Sequence, residues 1–104
     1  MSKKRFIVCL ESSINGQDAD FLKFIELRKL GWWHWLPNTW LLYKSDGNIT
    51  ASDIREAIKS SYPGVNHLIF ELSKNGDTWI GFGPTGKIEG TKSMFKWIRE
   101  NWKS

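Results

Sequence analysis

The residues best suited to chemistry in this chain are His34, His67, Glu11 and the tryptophans around the first of them. Four of the seven tryptophans fall in Trp32-Trp33-His34-Trp35-Leu36-Pro37-Asn38-Thr39-Trp40. An indole buries a large apolar area, yet it carries an N–H that needs a partner. A cluster this dense in 104 residues suggests a surface for stacking, for a partner chain, or for both. The chain is also basic, with a net charge of +4 and a pI near 9.3. Aromatic faces beside cations grip nucleotides and single-stranded nucleic acid. That chemistry makes Trp33, His34, Trp35 and Trp40, with Trp79 and Lys87 further along, candidate ligand contacts.

Each candidate has a plainer reading. His34 and His67 are suited to acid and base roles in RNA cleavage, or to a phosphate contact. A histidine packed among aromatics is more often structural. Trp33 and Trp35 alternate with Trp32 and His34, so one pair faces a core and the other is available; Pro37 leaves open which. Gly81-Phe82-Gly83-Pro84-Thr85-Gly86-Lys87 matches two phosphate-loop patterns in form. Ile88 stands where a Ser or Thr should follow the lysine, and too little chain remains for a nucleotide-binding domain. A flexible linker is the default, with a phosphate contact from Lys87 as the functional variant. Lys92, Lys96, Arg99 and Lys103 share one face of a terminal helix, opposite Met94, Phe95, Ile98 and Trp102. That basic face is either a solvated side or a row of phosphate contacts.

These residues need a scaffold, and the length bounds it. A chain of 104 residues is one domain by the usual size prior, large enough for one core. Cys9 is the lone cysteine, set in the apolar run Phe6–Leu10. It reads as a small core residue, and with no internal disulfide possible a reducing cytoplasm is expected. The apolar run after the positive N-terminus is too short for a signal peptide or a membrane span.

Phe6–Leu10 reads as a buried strand. Asp18 is expected to cap a helix to about Leu30, with Gly31 just past its end. Residues 32–36 and 39–44 read as a hairpin around Pro37-Asn38. Thr50 and Asp53 form a capping box, with Ile49 and Ile54 as its hydrophobic staple, opening a helix to residue 61. Residues 67–72 alternate, with Leu68, Phe70 and Leu72 on the expected core face. Asn75-Gly76 turns into a further strand at 78–82. A flexible Gly/Pro stretch at 83–90 and a helix at 91–102 complete the chain. The order predicts an α+β, ferredoxin-like βαββαβ antiparallel sheet with two helices on one face. An extra C-terminal strand and helix follow, all in a single domain over 1–104 with its core at about 5–83.

The combination of Gly31-Trp32-Trp33-His34-Trp35-Leu36 with Asn38-Thr39-Trp40, Ser52-Asp53-Ile54-Arg55, Trp79 through Phe82 and Gly16-Gln17-Asp18 resembles the small bacterial and phage proteins of the SinR family. That family looks distantly similar to the ferredoxin-like dimeric subunit of CRISPR adaptation and to the virulence-associated protein D ribonucleases. In those relatives an aspartate after the first strand helps hold a divalent metal at a dimer interface. The matching residue here is Glu11, whose longer side chain moves the ligand atom by about one methylene. The resemblance therefore implies a homodimer and, as one alternative, a metal-dependent endonuclease with Mg²⁺ or Mn²⁺ at Glu11 and a role for His34. A solvated carboxylate at a strand end is the plain reading of Glu11. The reading preferred from the residues is a non-catalytic nucleotide or nucleic-acid binding module, without a cofactor, with sequestration of a nucleotide ligand as one instance of it. A structural interaction subunit is the third option.

Overall fold

The computed structural model describes residues 3–14, 16–72, 96–97 and 100–102. Two compact units, Met1–Leu72 and Ser73–Ser104, divide the chain, and each is described by itself. The first unit runs β1 (Lys4–Leu10), α1 (Gln17–Leu27), β2 (Gly31–Leu36), β3 (Thr39–Lys44), α2 (Ala51–Ser61) and β4 (His67–Leu72). The sheet order is β2-β3-β1-β4, and every neighbouring pair is antiparallel. Each strand–helix–strand step skips over one strand, which is the split βαβ arrangement that the element order predicts. Both helices pack on one face.

Alternation along the central strands builds that packed face. Phe6, Val8 and Leu10 of β1 and Trp40 and Leu42 of β3 meet Phe21 and Ile25 of α1 and Ile54 and Ile58 of α2. Burial of each such side chain contributes roughly 1.5–3 kcal/mol. Trp33 is buried on the opposite side of the sheet, as the register Trp33↔Leu41 requires.

The two helices end differently from one another, and only α2 starts as its sequence indicates. Thr50 Oγ1 accepts from the Asp53 amide while the Asp53 carboxylate accepts from the Thr50 amide, closing the expected capping box. Ile49 and Ile54 are both buried beside it. By contrast, Asp18 does not cap α1. Gly16 takes the N-cap position at φ 89, without a side-chain cap, and the Asp18 carboxylate turns to other elements. Nor does the helix reach Leu30. Lys29 adopts φ 58, its amide bonds Glu26, and the Leu30 amide bonds Ile25. This is a Schellman ending, with buried Leu30 and Ile25 as its apolar contact.

Gly31 thus opens β2 rather than closing α1. It pairs with Tyr43, and a Cβ on Gly31 would overlap the Tyr43 ring. The close approach of that ring accounts for the glycine.

The face assignment of β4 is corrected. Ile69 pairs with Val8 and packs on the core, so Leu68 and Phe70 point the other way, both about half exposed. The alternation of His67 and Glu71 with Leu68, Phe70 and Leu72 marks the latter face as the apolar one, but the register with β1 turns Ile69, the one apolar residue of the other face, onto the helices. Cys9, expected in the core, is half-buried on that same opposite face, paired with Leu68.

The strand expected at 78–82 and the stretch at 83–90 lie outside the described residues. In the second unit Lys96, Trp97, Glu100 and Asn101 are helical. Among these, Lys96 pairs with Glu100 at 4.0 Å and Asn101 Nδ2 donates to the Trp97 carbonyl.

Candidate functional site

The tryptophan hairpin is organised around one buried indole. Trp40 is 1% exposed and lies on the helix-covered face. His34 stacks flat on it, with ring centroids 3.8 Å apart and planes 1° from parallel. Trp32 leans on the same indole at 5.6 Å, and Phe21 meets its edge at 5.1 Å. Alternation along β2 explains why Trp32 and His34 share this side while Trp33 takes the other. The pairing then shifts between Trp33 and Leu36, and the irregularity leaves Trp35 and Leu36 partly exposed at the hairpin tip.

The polar atoms of this cluster form one connected set. His34 Nε2 lies 3.0 Å from Asp18 Oδ2, and its Nδ1 lies 2.8 Å from the Thr39 carbonyl. Tyr62 Oη donates to Asp18 Oδ1 at 2.5 Å, and Trp40 Nε1 donates to Tyr62 Oη at 3.3 Å. Asp18 comes from α1, His34 from β2, Trp40 and Thr39 from β3, and Tyr62 from the C-cap of α2. The set therefore clasps both helices to the hairpin. Burial, and then the bond to Asp18, push the Tyr62 hydroxyl well above its ordinary pKa of 10.

This geometry restricts what the cluster does chemically. Both ring nitrogens of His34 are engaged, so neither is open to a substrate proton. Trp40 has no exposed face for a base. Of the residues singled out as ligand contacts, Trp33 and Trp40 are thus buried and His34 is packed flat on Trp40. Asp18 and Tyr62 were not singled out, and helix periodicity carries no signal for a carboxylate that bonds a strand sixteen residues on.

Glu11 stands at the end of β1, where its carboxylate accepts from Asn66 Nδ2 at 3.2 Å and its amide bonds the Asn66 carbonyl. Among the described residues no group of three or more His, Cys, Asp or Glu is placed to hold a metal ion. His67 is far from His34 in the sheet, on the opposite edge strand. Its Nδ1 donates to the Val65 carbonyl, and its ring lines a shallow groove of about 330 Å³ with Ser52, Arg55 and Ile69. Trp79, Lys87, Lys92, Arg99 and Lys103 lie outside the described residues.

Three aromatic side chains keep substantial exposure in the first unit: Trp32 at 41%, Trp35 at 37% and Phe70 at 50%. Phe70 was expected inside. No helix among the described residues is long and apolar enough to cross a membrane. Compared with known proteins, the chain matches no family model, no curated protein and no solved structure.

Proposed function

We propose that this protein is a non-catalytic module that binds nucleotides or single-stranded nucleic acid through exposed aromatic rings and nearby cations. One observation carries the reading. After the core has taken Trp40 and His34, Trp32, Trp35 and Phe70 still present ring surface on a chain of net charge +4. Stacking on such rings tolerates any base, and each stacked base contributes about 1–3 kcal/mol. The engaged nitrogens of His34 favour binding over imidazole acid–base cleavage.

Three finer elements belong to the same proposal. The ferredoxin-like strand order supports kinship with the SinR-like proteins. Leu68, about half exposed on the face of the sheet turned away from the helices, favours a homodimer, because apolar surface of this kind is commonly buried by a second copy. The lone half-buried Cys9 suits a reducing cytoplasm.

Tryptophan fluorescence tests the reading. Titration with nucleoside mono- and triphosphates and with short single-stranded DNA and RNA should quench the emission. Trp35→Ala and Phe70→Ala should each weaken binding by about 1–3 kcal/mol with the fold intact. A flat response to the whole panel would reject the proposal and favour an interaction subunit. Cleavage of RNA or DNA that needs Mg²⁺ or Mn²⁺ and is lost in Glu11→Gln would replace it with the endonuclease alternative.

A further inference from the structure

The end of the sheet where β1 begins and β3 finishes gathers cations from three places in the sequence. Lys4 of β1 lies directly opposite Lys44 of β3. Arg28 and Lys29 arrive from the end of α1, three and two residues before Gly31, which pairs with Tyr43. Lys4 Nζ donates to the Ile49 carbonyl and Arg28 Nη2 to the Asn48 carbonyl, each at 3.2 Å, so two cations grip consecutive peptides of one loop. Lys3 Nζ sits 4.6 Å from the centre of the Tyr43 ring.

Among the described residues, two of these cations pair with a carboxylate. Asp46 reaches Lys44 at 3.9 Å and Asp53 reaches Arg28 at 3.8 Å. Asp53 is also bound into the α2 cap, which, ahead of Arg28 and Lys4, holds its carboxyl below the usual range. Glu26 and Glu71 flank the end, and both are exposed. The exposed side chain of Lys29 has no ion-pair or hydrogen-bond partner among the described residues. Like charges directly opposite one another in a sheet are destabilising, and Lys4 and Lys44 stand in that relation. A polyanion laid over this end would remove the repulsion.

We propose that this end is the docking surface for the phosphodiester backbone of single-stranded nucleic acid. The inference rests on the proposed binding function and names its partner as a polymer rather than a free nucleotide. The proposed binding function decides for a nucleic acid over other polyanions, and the Tyr43 ring, packed on the bare backbone of Gly31, holds the Lys3 ammonium over it at this end of the sheet. Cations spread across the start of one strand, the end of another and the end of a helix match a row of phosphates better than a single anion.

The test compares two triple variants of the full-length protein. Lys3→Gln/Lys29→Gln/Lys44→Gln neutralises the proposed surface and leaves the loop-gripping Lys4 and Arg28 in place. Lys23→Gln/Arg55→Gln/Lys59→Gln removes the same charge from the outer faces of the helices. Far-UV circular dichroism checks that both fold. Binding of a single strand of about 16 nucleotides is then measured against salt. Three lost phosphate contacts should flatten the log–log salt slope by about 2 and weaken binding about 100-fold at about 0.1 M salt. The helix-face variant should keep a slope close to that of the unaltered protein. Equal losses in both variants would overturn the proposal in favour of attraction by net charge alone. An unchanged slope in the first variant would also overturn it, while leaving nucleotide binding elsewhere on the molecule standing. If the unaltered protein binds no strand or nucleotide, the proposed function itself fails. If the first variant instead loses binding to phosphatidylserine vesicles, with strand binding unchanged, the surface belongs to a membrane partner.

Discussion

The two ends of the sheet both carry polar and aromatic residues, yet they use them in opposite ways. At the hairpin end, Asp18, His34, Tyr62 and Trp40 satisfy one another. Each donor meets an acceptor, and the rings stack on each other. At the other end, Lys4 and Arg28 bond uncharged carbonyls, Lys44 faces Lys4, and Lys29 projects outward. Residues of functional type that complete each other's bonding hold a fold together. Those whose charge exceeds what the chain supplies are the ones left to act on something else.

The sharpest way to break this contrast is at the hairpin end. Trp40→Ala removes the indole on which His34, Trp32 and Phe21 rest and takes away the Tyr62 partner. A loss of about 3–5 kcal/mol in denaturant unfolding is expected. A loss under about 1 kcal/mol would mean that the cluster is not structural.

Tyr62→Phe tests the polar half of the same clasp. At neutral pH it should cost about 1–3 kcal/mol, because Asp18 and Trp40 each lose a partner. It should also change the alkaline limb of stability. The folded hydroxyl holds its proton above the ordinary pKa of 10, so above that pH the native state binds more protons than the unfolded one. Stability from this source is complete below about pH 10 and falls as pH rises further. The phenylalanine variant should lose this part of the decline, read from urea midpoints between pH 8 and pH 11.

Gly31→Ala probes the opposite end through its one rigid contact. The added methyl meets the Tyr43 ring and should cost about 1–3 kcal/mol. Adding Tyr43→Ala should recover part of the loss, because the obstacle is then gone. No recovery would place the cause in the backbone instead.

At the same end, Thr50→Ala should cost about 1 kcal/mol by opening the capping box. The contribution of Asp53 runs in the acid direction. Its folded carboxyl is held below the ordinary 3.8, so its stabilisation is present above that pH and lost as pH falls through the folded value. In Thr50→Ala the acid loss should be shallower.

Lys44→Gln is the smallest effect. It relieves repulsion from Lys4 and gives up a long contact to Asp46, so stability should stay within about 0.5 kcal/mol. A large loss would show that the basic end is as structural as the hairpin end.

The order of elements was legible in the residues because each rests on local chemistry. The Thr50/Asp53 box, the staple of Ile49 and Ile54, and the turn at Pro37-Asn38 act over a few positions. Asp18 and Gly31 were misread for the same reason. Both have the local form of helix-end signals, but each answers to a partner distant in sequence: Asp18 to His34 and Tyr62, Gly31 to the Tyr43 ring. Leu68 and Phe70 read as core residues because they alternate with His67 and Glu71, yet pairing with β1 turns Ile69 to the helices instead.

What the amino-acid sequence determined alone, then, was the α+β class, the split βαβ order, the cap of α2, and an excess of aromatic and basic side chains. Those follow from periodicity, turn chemistry and composition, which need no knowledge of neighbours in space. Only the tertiary structure decided that Trp40 and His34 are structural, that Phe70 is exposed, and that Lys3, Lys4, Arg28, Lys29 and Lys44 share one end of the sheet. Hydrogen-bond completion and charge balance are properties of groups brought together by strand register and helix packing. No spacing along the chain records which groups will meet.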